Sequence, residues 1–255
     1  MSAGSSCGFL ITEEVKVKKS CKDKILDLFY PPRCPVCGNI LEDKYAYVHK
    51  KCRGTLPWIH EPRCKRCGKP LESPVRELCQ DCKARSYSFQ SGRSLWLYEK
   101  KAKQMTLDYK YKNKREYTDF FVDEMIRNYG GWMRGNRIGL IVPVPLNKKK
   151  KRERGYNQAE LLAVRLGKEL GMETAPKGLI RQRYTSPQKQ LGPAERRHNL
   201  EKSIQAGRLP EKVGYVLLID DIYTTGATVE ACAKALIKAG AKDVYFLTLC
   251  IGHGG

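Results

Sequence analysis

The chain has 255 residues and a formal net charge of +21, because 48 lysines and arginines outnumber 27 aspartates and glutamates. This excess of cations predicts a polyanionic partner, nucleic acid ahead of an anionic membrane surface, although basic surfaces without a partner are also common. No apolar run approaches the roughly 20 residues of a membrane span, and the N-terminus has lysines and glutamates where a signal peptide needs an apolar core. We therefore expect a cytoplasmic protein with no membrane span. The length suits one α/β domain of roughly 150 residues plus a smaller unit.

A polar lead segment, residues 1–30, precedes a cysteine repeat. Two Cys-x-x-Cys-Gly motifs are each followed by a second ligand pair, and every equivalent position differs by 30 residues. An internal repeat aligned on all of its ligand-type residues is difficult to produce by chance. The first knuckle (residues 34–52) offers Cys34, Cys37, His49 and Cys52, and the second knuckle (residues 64–82) offers Cys64, Cys67, Cys79 and Cys82.

These spacings predict two structural zinc ions. Cysteine in a reducing compartment favours metal sites over disulfides, and four nitrogen or sulfur ligands complete a closed tetrahedral site. A closed site leaves no position for water, so we expect a structural rather than a catalytic metal. His49 is the weakest ligand prediction, because it also reads as an ordinary surface histidine. Residues 31–90 thus form a small double zinc-ribbon domain, and residues 91–255 form the larger one.

The stretch from Tyr109 to Tyr117 interleaves aromatic and cationic side chains. That composition suits single-stranded nucleic acid, whose bases stack on rings while its phosphates pair with cations. The alternative is a solvated helix whose tyrosines pack inward, and composition alone does not decide between the two.

A buried strand is predicted at 138–142, and Pro143, Val144 and Pro145 follow it. A basic run, 148–154, then leads through Gly155, Tyr156, Asn157 and Gln158 into a helix that Gly171 closes. Cations near a phosphate site either hold phosphate or nucleic acid, or belong to a mobile surface loop. The candidate contacts here are Arg154, Gly155, Tyr156, Asn157 and Gln158.

The stretch 216–228 carries the strongest chemical signal of the chain. Four apolar residues predict a strand buried on both faces of a parallel sheet. Asp220 and Asp221 follow, and a hydroxyl-rich turn opens a helix whose free N–H groups attract a phosphate monoester. The two carboxylates suit a vicinal ribose diol, reached directly or through Mg²⁺. The turn residues are Thr224, Thr225, Gly226, Ala227 and Thr228.

This stretch resembles the phosphoribosyl pyrophosphate (PRPP) signature of the type I phosphoribosyltransferases. The resemblance implies an α/β fold, with a parallel sheet flanked by helices. It also implies PRPP bound by the acidic pair and the turn with Mg²⁺, and a pyrophosphate loop at 143–145. A flexible closing loop would span 181–199, where Arg183 and Arg196 are further candidates for phosphate or nucleic-acid contacts. The chain has no P-loop motif, which disfavours an ATPase.

In order along 28–252, the knuckle pair, Val-Pro-Val-Pro, Arg-Gly-Tyr-Asn-Gln-Ala and the PRPP signature resemble the ComF family of bacterial competence proteins. The family implies a cytoplasmic role in natural competence, in taking up or processing transforming single-stranded DNA, with a helicase partner in some bacteria. It does not imply a phosphoribosyl transfer reaction. The expected function is therefore PRPP and single-stranded DNA binding, the alternative being a nucleotide-salvage or related transferase that acts at C1 of PRPP.

Overall fold

The computed structural model describes residues 31–43, 45–182 and 192–252. The N-terminal lead, Arg183 and the side chain of Arg196 lie outside this description. The helices are α1 (Lys50–Arg53), α2 (Gln80–Ala84), α3 (Lys100–Tyr111), α4 (Tyr117–Gly135), α5 (Lys148–Arg154), α6 (Gln158–Leu170), α7 (Pro193–Ser203) and α8 (Ala227–Lys238). The strands are β1 (Ser91–Leu97), β2 (Leu140–Pro143), β3 (Glu173–Thr174), β4 (Leu179–Arg181), β5 (Ile204–Ala206), β6 (Tyr215–Tyr223) and β7 (Asp243–Ile251).

A five-stranded sheet forms the centre of the larger domain, in the order β1-β7-β6-β2-β3. Every neighbouring pair in this sheet is parallel, which confirms the predicted α/β parallel sheet flanked by helices. The short strands β4 and β5 pair antiparallel outside it. The strand predicted at 216–219 continues through the acidic pair to Tyr223, because Asp220 and Ile222 both pair with β7.

The two faces of the sheet carry different helices. Leu217 and Ile219 share one buried cluster with residues of α3, α4 and α6, whereas Val216 and Leu218 share the other with residues of α8. The β2-α6-β3 connection thus lies on one face and the β6-α8-β7 connection on the other. β2 and β6 are parallel, but the strands that follow them are added on opposite sides, β3 beyond β2 and β7 beyond β6. Open α/β sheets place their ligand crevice at such a switch in strand order.

The segment between the two knuckles covers the edge strand β1. Trp58 forms a bridge with Trp96, the Ile59 N–H donates to the Leu95 carbonyl at 3.4 Å, and the Leu97 N–H donates to Pro57 at 2.9 Å. An uncovered strand edge would be a template for unwanted pairing. The small domain therefore packs on the larger one at a place that needs covering.

No helix within the described ranges combines the length and the apolarity needed to cross a membrane.

Candidate phosphate site and metal centres

The 143–145 loop and the acidic pair meet at the crevice between β2 and β6. Pro143 pairs with Ile219, and the Val144 N–H donates to the Ile219 carbonyl at 2.9 Å. Asp220 is the next residue along β6. The structure therefore places the predicted pyrophosphate loop directly beside the first carboxylate, at the carboxyl ends of two adjacent parallel strands.

The turn after β6 presents backbone donors. Gly226 has φ +77°, in the left-handed region, and an added Cβ would lie 2.5 Å from the Tyr223 hydroxyl, so the position requires glycine. The first helical bond of α8 runs from the Glu230 N–H to the Gly226 carbonyl at 2.8 Å, leaving the N–H groups of 227–229 without intrahelical acceptors. Thr224 and Thr225 are exposed above this helix end. The arrangement can hold a phosphate.

The acidic pair carries its own cations. Lys110, near the end of α3, pairs through Nζ with Asp221 Oδ2 at 2.9 Å, and both side chains are largely buried, 12% and 15% exposed. Burial, and then the neighbouring Asp221 charge, raise the pKa of Asp220 to about 7, although part of this residue's surface remains exposed. Arg181 at the end of β4 acts in the opposite direction on Asp220, and burial lowers the pKa of Arg181 itself.

Three residues of the Arg-Gly-Tyr-Asn-Gln motif point inward and hold the crevice together. The Asn157 side chain donates to the Val144 carbonyl at 3.0 Å and accepts from the Ala159 N–H, which caps α6. The Tyr156 hydroxyl donates to the Tyr109 carbonyl, and the Gln158 amide donates to the Lys110 carbonyl at 3.5 Å. These side chains, proposed from sequence as ligand contacts, join the 143–145 loop to the end of α3.

The basic run 148–154 forms helix α5, with Asn147 as its N-cap and Gly155 in the left-handed conformation at its end. Residues 148–153 are exposed. The Arg154 guanidinium lies 4.8 Å from the ring centroid of Tyr111, which is 66% exposed, and also donates to its hydroxyl at 3.1 Å. In the aromatic stretch before it, Tyr109 and Tyr117 are buried core residues. Only Tyr111 of the three is available to stack with a base.

Both predicted metal-ligand sets come together. The four ligand atoms of each knuckle lie within 4.8 Å of one another. The Cys67 and Cys79 sulfurs are 3.6 Å apart, and Cys37 Sγ lies 3.4 Å from His49 Nδ1; the edge of a tetrahedron with Zn–S bonds of 2.3 Å is about 3.8 Å. The other His49 ring nitrogen, Nε2, is 3.2 Å from the Ile40 carbonyl, which orients Nδ1 towards the sulfurs. Both sets fit zinc.

The acidic pair fits a magnesium ion poorly in this arrangement. An ammonium group already lies against Asp221 Oδ2, and Asp220 Oδ1 accepts the Asp221 N–H at 2.8 Å. Sequence reasoning did not find Lys110 or Arg181 at the pair. The available signal was that 109–117 and 181–199 are rich in cations, but composition does not specify which carboxylate a distant cation meets.

Comparisons with known proteins agree with the two-part organisation. Residues 25–83 match the family model described as a double zinc ribbon domain. Over 243 residues the chain is 28% identical to the Competence protein ComFC of Bacillus subtilis, covering 94% of this chain and 86% of that protein. It is 34% identical over 110 residues to the DNA utilization protein YhgH of Escherichia coli O157:H7, and 34% identical over 106 residues to the Competence protein F of Haemophilus influenzae. These two alignments cover 43% and 41% of this chain and 48% and 46% of the relatives, about half of their length.

Similar solved structures include an adenine phosphoribosyltransferase at 14% identity, aligned over 56% of this chain and 74% of that one with a TM-score of 0.36.

Proposed function

Since the chain belongs to the ComF family of competence proteins, we propose that it is a DNA-utilisation factor that binds PRPP at the β2/β6 crevice and single-stranded DNA on its basic surface. The observation that carries the proposal is the junction of the 143–145 loop, the acidic pair and the α8 N-terminus at one point of the sheet. The two zinc ions have a structural role, because four protein ligands close each site.

The crevice suits a phosphorylated ribose with a second phosphate group. The N–H groups of 227–229 attract the 5-phosphate, the carboxylates of the pair accept hydrogen bonds from the vicinal hydroxyls, and the 143–145 loop lies within one residue of the pair to receive pyrophosphate. These features favour PRPP over inorganic phosphate, which has no diol for the carboxylates to bind. Any Mg²⁺ that is present would be held by the pyrophosphate oxygens, the hard ligands that this ion prefers, and not by the acidic pair.

The basic surface next to the crevice suits single-stranded nucleic acid. Helix α5 exposes consecutive cations, and the exposed ring of Tyr111 lies beside Arg154 at the end of that helix. Phosphates pair with the cations while a base stacks on the ring. The net charge of +21 adds a long-range attraction for polyanions.

PRPP binding is tested by titration calorimetry of wild type and of the Asp220→Asn/Asp221→Asn variant. We expect the double variant to lose about tenfold or more in affinity, because hydrogen bonds to charged groups contribute roughly 1.5–3 kcal/mol each. Asp243→Asn, at the opposite end of the sheet where β7 begins, should bind like wild type. Equal affinity for the double variant would remove the acidic pair from the site. Pyrophosphate release with a base or amine would establish a transferase activity.

DNA binding is tested by fluorescence polarisation with a labelled single strand across a salt series. Each neutralised phosphate contributes roughly −0.7 to the slope of log affinity against log salt, so replacing three lysines of α5 with glutamine should flatten the slope by about 2. An unchanged slope, or no salt-dependent binding by wild type, would contradict the proposal. The α5 variant changes Lys148, Lys149 and Lys150, and its charge-matched control changes the exposed Lys177, Lys212 and Lys238.

A further inference from the structure

We propose that Lys110 is the resident counter-ion of the acidic pair, so that phosphorylated ribose binds without a divalent cation at Asp220 and Asp221. This inference rests on the proposed PRPP site and adds a residue that the PRPP signature itself does not contain. Lys110 comes from α3, which lies on the opposite face of the sheet from α8, and precedes Asp221 by 111 residues.

The geometry distinguishes Lys110 from Lys112, the C-cap residue of the same helix. Its Nζ lies 2.9 Å from Asp221 Oδ2, and its side chain is only 12% exposed. Lys112, two residues further on, pairs with Asp108 of the same helix at 3.0 Å and is 63% exposed. A shielded ion pair at the mouth of a ligand crevice interacts more strongly than a surface pair, because less water screens it.

The ion pair reduces the electrostatic repulsion between the crevice and an anionic ligand. PRPP is a polyanion, and two uncompensated carboxylates would repel it. Lys110, whose Nζ lies 2.9 Å from Asp221 Oδ2, offsets part of this negative charge within the protein. The carboxylate oxygens that remain can then accept hydrogen bonds from the ribose hydroxyls. The Lys110 ammonium makes the local electrostatic potential less negative, which favours the approach of phosphate.

The inward-pointing motif holds Lys110 in place. Tyr156 and Gln158 donate to the carbonyls of Tyr109 and Lys110, which are neighbours in the last turn of α3. Asn157, between them, holds the Val144 carbonyl. A single tripeptide therefore fixes the spacing between the pyrophosphate loop and the lysine that meets the acidic pair.

The test is calorimetric titration of PRPP into wild type, Lys110→Met and Lys112→Met, each in EDTA and in Mg²⁺. Wild type should bind in EDTA. Lys110→Met should lose about tenfold or more in EDTA and recover part of that affinity in Mg²⁺, because removing one partner leaves an uncompensated shielded carboxylate. Lys112→Met, with the same change of charge at the C-cap of that helix, should stay within about twofold of wild type.

The outcomes separate the inference from the function on which it rests. If wild type binds PRPP in neither buffer, the proposed site itself is wrong. If wild type binds only in Mg²⁺, or if Lys110→Met matches wild type in EDTA, the site stands and the counter-ion role is overturned.

A ligand-free readout covers the case of a poorly folded variant. Thermal unfolding of Lys110→Met, Asp221→Asn and the double variant forms a double-mutant cycle. The effects should be clearly non-additive, and Lys110→Arg should retain most of the wild-type stability. Additive effects would show that the two side chains are not coupled and would overturn the proposal.

Discussion

The two knuckles have the same local structure and different surroundings. Gly38 and Gly68 both have φ +78°, and the Leu41 and Leu71 N–H groups donate to Pro32 and Pro62 at 2.9 and 2.8 Å. The first knuckle shares its buried cluster with α3, α4 and α6, however, and the second shares its cluster with α8 on the other face of the sheet. The repeated sequence therefore determines the local fold of each metal-ligand set. The place of each knuckle in the chain decides which helices it packs against.

Side-chain contacts link the region of each knuckle to a helix, and the two helices lie on opposite faces of the sheet. Arg53, next to the last ligand of the first knuckle, pairs with Glu124 of α4 at 2.8 Å. Ser88, shortly after the second knuckle, donates its N–H and hydroxyl to Glu230 of α8 at 2.7 and 2.8 Å. Glu230 lies in the first turn of α8, the helix whose N-terminus forms part of the proposed PRPP site. Of these two links, only the Ser88–Glu230 contact ends next to the proposed backbone donors, the N–H groups of 227–229.

Loss of one zinc should separate the knuckles most clearly. Metal affinity in such small units is worth roughly 10–16 kcal/mol of folding energy, so Cys67→Ser and Cys37→Ser should each lower bound zinc from two ions to one. Because Cys67 is fully buried beside the α8 cluster and Cys37 is exposed, Cys67→Ser should also weaken PRPP binding. Elemental analysis and calorimetry measure the two effects. Equal PRPP affinity in both variants would show that the second metal does not support the turn.

Replacing the two left-handed glycines, Gly38 and Gly68, with alanine gives a matched pair of variants with smaller losses of stability. Alanine in the left-handed region costs about 1–2 kcal/mol, and an added Cβ at Gly38 meets nothing within 4 Å. At Gly68 the same atom would lie 2.8 Å from the Gly92 carbonyl oxygen, a backbone atom of β1. Thermal or denaturant unfolding should therefore show a clearly larger loss for Gly68→Ala than for Gly38→Ala. Equal losses would show that β1 moves away from the added Cβ without a measurable loss of stability.

The links themselves should give effects of about 1–3 kcal/mol, in a fixed order. Glu124 is 1% exposed, and burial raises its pKa against the opposing charge of Arg53. Arg53→Met should thus cost about 3 kcal/mol in stability, since it leaves a buried carboxylate without its cation. Ser88→Ala removes one hydroxyl hydrogen bond and should cost about 1 kcal/mol. Denaturant unfolding checks the order, and a larger loss for Ser88→Ala would reverse this assignment of the two links.

Much of this organisation could be predicted from sequence where the signal is local. The ligand repeat specified both metal-binding sets, and the apolar runs identified β2 and β6 as buried strands. Gly171, with φ +63°, ends α6 as expected. Boundaries were less certain, since β6 extends through the acidic pair because its backbone continues to pair with β7.

Residues that share one sequence pattern have different environments in the fold. Tyr109, Tyr111 and Tyr117 lie in a single aromatic and basic stretch, yet two are buried core residues and one is exposed. Tyr156, Asn157 and Gln158, which the sequence predicts as ligand contacts, are hydrogen-bonded into the framework of the crevice. Composition reports that a segment is rich in rings and cations, but burial against a neighbouring element decides which of them face solvent.

The sequence by itself determined the metal-ligand sets, the buried strands and the acidic turn, because spacing and periodicity act within a few tens of residues of chain. Only the tertiary structure decided that the two knuckles lie against opposite faces of the sheet, that the 143–145 loop hydrogen-bonds next to Asp220, and that Lys110 meets Asp221. These contacts join segments that parallel strand pairing and helix packing bring together. Their partners are distant in sequence, so no local pattern encodes them.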